Sequence, residues 1–105
     1  MNTFEEKKKS EEAKAAIKAE NLFKAESRRN KLLGLWAAER MAHDDPDAYA
    51  AAIVASVFAT PGLDKLHQRL GDDLEAAGIA VSAEEIIAKS EELLILAKEQ
   101  IQLEN

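Results

Sequence analysis

Apolar residues recur along the chain in four blocks. The first block is charged where it begins. Glu5 to Lys14 carries almost no apolar side chain, although Glu5 and Lys9 stand at the spacing that favours an ion pair on a helix. Thr3 precedes this stretch as a capping residue, with Glu6 placed to return a bond to the Thr3 amide. From Ile17 onward apolar positions recur, at Leu22, Phe23, Leu32, Leu33, Leu35, Trp36 and Met41. No proline comes before Pro46 and no glycine before Gly34, so one helix is predicted from Phe4 to about Met41. Its second half should pack; its first half should project into water or be partly disordered alone. Ser10, with only modest helix propensity, is the point where continuity is in question.

The second block opens at Asp45-Pro46-Asp47, a cap, a first-turn proline and an acid near the positive helix end. Ala48 to Ala59 follows, apolar nearly all round, with Tyr49, Ile53, Val54, Val57 and Phe58. That pattern predicts a helix at the centre of a bundle. Pro61-Gly62 breaks it. Leu63, Leu66, Leu70 and Leu74 then mark a third helix ending at Gly78, with Gly71 inside it as a place to bend or fray. Ser82 and Glu85 form a capping box for a fourth helix, whose buried face reads Ile86, Ile87, Ser90, Leu93, Leu94, Ala97 and Ile101. Short connections make the whole an all-α, antiparallel four-helix bundle in one domain, residues 1–105.

Composition narrows the function classes. A net charge of −6 argues against nucleic acid as the main partner, because a phosphate backbone demands a basic surface. Cysteine is absent, which removes disulfides, thiolate nucleophiles and thiolate metal sites and fits a reducing cytoplasm. The longest apolar run, Ala48 to Ala59, is far shorter than the ~20 residues a membrane helix needs. No secretory signal is visible after Met1.

Candidate chemistry is sparse. His43 and His67 lie in different segments, without the one-turn pairing a zinc site uses, and read as loop and surface histidines. Asp44, Asp45 and Asp47 lack the glycine and distal glutamate of a calcium loop. Asp72, Asp73 and Glu75 read as the solvated face of a leucine-striped helix rather than paired catalytic carboxylates. No catalytic constellation and no metal site emerge, so an enzyme is not expected. Two charged features remain. Lys7, Lys8, Lys9, Lys14 and Lys18 lie along the uncored start of the first helix, which suits a segment that docks in a partner's groove. Lys24, Arg28, Arg29 and Lys31 follow, as candidate contacts for an anion or acidic surface.

The run Phe23-Lys24-Ala25-Glu26-Ser27-Arg28-Arg29-Asn30-Lys31-Leu32-Leu33-Gly34-Leu35-Trp36-Ala37-Ala38 closely resembles the signature of a small alphaproteobacterial family. Its best-understood member is the zeta subunit, an inhibitor of the rotary ATP synthase; other members are catalogued as a domain of unknown function. Met1, Thr3, Phe4, Tyr49-Ala50, Pro61-Gly62 and Asp73-Leu74 extend the similarity along the chain. The resemblance implies a four-helix bundle and an N-terminal helix that enters a catalytic interface of the synthase head and blocks rotation in the hydrolytic direction. It also implies weak ATP or ADP binding by the bundle, and no other cofactor. The chain departs from the family at Glu11 and Ala15, where members carry aromatic residues, and at Ile17-Lys18, where a histidine–acid pair is usual.

These readings converge on a non-catalytic regulator of the ATP synthase. Residues 1–18 form the inhibitory arm and 19–105 the bundle. Thr3 and Phe4, with the five lysines from Lys7 to Lys18, are expected to meet the catalytic head, and the Lys24–Lys31 cluster an anion or adenine nucleotide. Such a protein would be cytoplasmic, peripheral to the inner membrane through the synthase and not inserted in it. The alternative is a non-inhibitory helical sensor or adaptor that binds nucleotide or another protein through the bundle.

Overall fold

A computed structural model describes residues 3–105, with side chains from residue 10 onward. Four helices follow in order: α1 Thr3–Arg40, α2 Pro46–Ala59, α3 Leu63–Ala76 and α4 Ala83–Glu104. The described part of the molecule is elongated, 65 Å by 24 Å by 23 Å. The long dimension belongs to α1, whose 38 residues make a rod of about 57 Å. It runs unbroken through Ser10. The Thr3–Glu6 capping box falls outside the described side chains.

Local chemistry sets the ends of the other helices. The Asp45 carboxylate accepts the Ala48 amide at 3.1 Å, and Pro46 occupies the first turn, where its missing N–H costs nothing. Ser82 Oγ accepts the Glu85 amide at 3.1 Å. At the end of α3 the Gly78 amide bonds Glu75 O and the Ile79 amide bonds Leu74 O. Gly78 sits at φ 78, so this is a Schellman closure on the left-handed residue that glycine tolerates best. The end of α1 repeats the closure without a glycine. The Ala42 amide bonds Glu39 O, the His43 amide bonds Ala38 O, and Ala42 itself takes φ 51.

The core forms in two patches along α1. Leu33 and Ala37 of α1 pack with Ile53 of α2, Leu66, Leu70 and Leu74 of α3, and Ile86 of α4. Nearer the α1 start, Ala25 packs with Ala97 and Ile101 of α4. The order of these contacts makes α4 antiparallel to α1. At the far end Asn105 Nδ2 donates to Asn21 Oδ1 at 3.2 Å, closing the tip of the bundle.

Three expectations change. Packing starts at Ala25 rather than Ile17. Ile17 lies beyond the point where α4 ends, beside Asn21, while Leu22 and Phe23 lie on the bundle side of that point and are exposed all the same. The central helix is α1, not α2. Only Ala50 and Ile53 of α2 are buried, and Ala48, Ala51, Ala52, Ala55 and Phe58 face outward. Alanine reports helix propensity more than burial, and exposing so small a side chain costs little. Ile87, expected on the buried face of α4, is exposed; α3 runs on through Gly71.

Candidate partner-binding surfaces

Residues 10–20 of α1 are exposed without exception. Among the candidate arm residues, Lys14 and Lys18 are therefore solvated; the side chains of Thr3, Phe4, Lys7, Lys8 and Lys9 lie outside the described residues. Where the arm joins the bundle, a cleft of about 640 Å³ opens between α1 and the end of α4. Ile17, Leu22 and Ile101 supply its apolar wall, and Lys18, Lys24 and Lys98 surround it.

The Lys24–Lys31 cluster is divided. Lys24 Nζ pairs with Glu20 at 3.3 Å. Arg28 reaches across to α4, donating from Nη2 to Glu104 Oε2 at 2.9 Å and from Nη1 to Gln100 Oε1 at 3.4 Å. Its hydrogen bond holds the Glu104 carboxyl below the usual carboxylate range. Lys31 is exposed beside Asp47 and Ala51 of α2. Arg29 turns inward. It is 8% exposed, and its Nε donates to Asn30 Oδ1 at 2.9 Å.

That inward arginine lines a second cleft, of about 530 Å³, walled by α1, the α2–α3 turn and α4. Phe23, Phe58 and Leu63 stand around it, exposed by 60%, 74% and 43%. The sequence pattern had Phe58 and Leu63 inside. Phe58 stands in the last turn of α2 and Leu63 opens α3, on either side of the Pro61-Gly62 break.

His67 is not a surface residue. It is half-buried on α3, and its Nε2 is buried without a hydrogen-bond partner among the described residues. Burial lowers its pKa, and the nearby Arg29 charge lowers it further. Ser90 Oγ on α4 is likewise buried and unpartnered. His43 fits the loop expectation: its Nδ1 accepts the Asp45 amide at 3.0 Å, and its ring leans on Tyr49 with centroids 5.3 Å apart. Asp72 and Glu75 are solvated, but Asp73 is half-buried. Its Oδ2 accepts the Tyr49 hydroxyl at 2.7 Å and pairs with Arg69 at 3.5 Å, tying α2 to α3. Burial and that acceptor raise the Tyr49 pKa. No cluster of three metal-ligating side chains occurs among the described residues, and no described helix is long and apolar enough to cross a membrane.

No curated protein matches the chain. The sequence profile of one family, described as ATPase inhibitor subunit zeta, matches residues 1–100. With that match over nearly its whole length, and with the four-helix architecture expected of it, the chain belongs to the ATPase inhibitor subunit zeta family.

Proposed function

We propose that the protein is a non-catalytic regulator that binds the catalytic head of a rotary ATP synthase through residues 1–18 and restrains ATP hydrolysis. The observation that carries this reading is the state of the described arm. Residues 10–20 are helical yet entirely exposed, while burial on α1 begins at Ala25. A helix with no core face of its own gains its burial from a partner. Lys14 and Lys18 are solvated and in no ion pair among the described residues, so they remain available to polar or acidic groups in the head. Thr3, Phe4 and Lys7–Lys9 complete the inserting segment, with Phe4 as its aromatic anchor.

The sensor reading, with adenine nucleotide held by Lys24, Arg28, Arg29 and Lys31, has less support. Lys24 and Arg28 already face carboxylates, and Arg29 lies apart from both in the interior.

The deciding experiment titrates purified synthase head with the full chain and with a version lacking residues 1–18. Inhibition of hydrolysis by the first and none by the second is the expected result. Absence of inhibition by saturating full-length protein would remove the inhibitor function from this chain.

A further inference from the structure

Arg29 places a positive charge at the edge of the interior. A guanidinium carries five N–H donors, and here one is used, by Asn30. The side chain is nine-tenths out of water, yet its terminal nitrogens still reach solvent at the cleft that Arg29 lines. Their donors have no acceptor among the described residues and can take one that enters the cleft. Glu26, one turn earlier on α1, lowers the local potential but forms no ion pair with Arg29. A carboxylate is the acceptor that matches the fork of a guanidinium two bonds at a time.

The walls above Arg29 are apolar. The chain has three phenylalanines, and both of those with described side chains, Phe23 and Phe58, stand at this cleft outside the core. Exposed aromatics grouped with an arginine are the composition of a protein-binding patch. We propose that this cleft is a second docking site for the synthase head, taking a segment that places a carboxylate on Arg29 and covers Phe23, Phe58 and Leu63 with apolar side chains. It rests on the head being the partner, and it adds a bundle contact to that of the arm.

A membrane surface would meet one recessed cation on a chain of net charge −6, too little to hold anionic lipid. Two tethered contacts also reinforce one another, because the second forms at high effective concentration once the first is made.

The test uses the full chain and the isolated head. Phe58→Asp and Phe23→Ser alter side chains outside the core and leave the fold intact, which thermal melting checks. Each is expected to weaken head binding by roughly tenfold or more, with Arg29→Met doing the same if it still folds. In the wild-type protein, head binding should slow amide exchange over residues 54–63 as well as in the arm. Unchanged affinity of Phe58→Asp, with protection confined to the arm, would overturn the second site and leave the inhibitor reading standing. No binding of wild-type protein to the head would overturn both. A wild-type dimer that Phe58→Asp converts to monomer, without change in head affinity, would assign the cleft to a second copy and overturn the proposal.

Discussion

His67 and Arg29 come from helices far apart in sequence, and their proximity makes the interior sensitive to acid. The native state favours neutral His67, because burial and the Arg29 charge both oppose protonation. Asp64, one turn back on α3, opposes this only weakly. Asp72 and Glu75 line the same shallow cleft as His67, at its solvated edge, and the α4 residues there, Ile86 and Ile87, carry no charge. A histidine whose native pKa is lowered contributes stability that is present above its unfolded value, near 6.5. That contribution is lost as pH falls from there through the native value. Denaturant melts from pH 8 to pH 5 should therefore show a declining midpoint, and His67→Gln should flatten the decline. At Ala42 the strain is of the backbone. A Cβ at φ 51 is disfavoured, and Ala42→Gly should raise stability by about 0.5–1 kcal/mol in chemical denaturation. Neither feature is written in local pattern. The sequence shows His67 on a helix, but only the fold brings it to Arg29, and Ala42 carries none of the glycine signal that marked Gly78.

At the level of elements, two glycines within helices have opposite meanings. A Cβ on Gly34 would lie 3.0 Å from the Ala50 Cα and 3.4 Å from the Ile53 Cβ, so its absence lets α1 and α2 approach backbone to backbone. Gly34→Ala should cost about 1–3 kcal/mol by forcing those helices apart. A Cβ on Gly71 would meet only Ile86 Cδ1, at 3.5 Å, an ordinary contact. Gly71→Ala should therefore stabilise the protein by up to about 1 kcal/mol. Thermal melts of the two variants, moving in opposite directions, check both statements. Sequence reading located α2, α3 and α4 because Asp45, Ser82 and Gly78 act on their immediate neighbours. It misplaced α2 in the bundle because an alanine-rich helix looks equally apolar on every side, and which side is covered depends on partners distant in sequence.

Across the whole molecule, stability and the proposed activity sit at opposite ends of α1. Burial begins at Ala25 and continues to the end of the helix, whereas residues 10–20 bury nothing. Removing residues 1–18 should change the free energy of unfolding by no more than about 0.5 kcal/mol, while it abolishes inhibition. Equal melting curves with unequal inhibition would establish that division; a large loss of stability would contradict it. The exposure of residues 10–20 was legible in outline, since the charge run Glu5–Lys14 has no apolar stripe. Its boundary was not, because Ile17, Leu22 and Phe23 carry the same apolar signal as core positions, and only the packing shows that burial waits until Ala25.

Because α1 is one uninterrupted helix, the arm has a fixed angular phase relative to the bundle. Each residue advances a helix by about 100° and 1.5 Å. A single alanine inserted between Ala19 and Glu20 would thus swing every arm side chain about a quarter-turn around the axis while leaving composition, charge and core untouched. If arm and bundle must engage the same partner together, that one-residue change of phase should impair inhibition more than most substitutions within the arm.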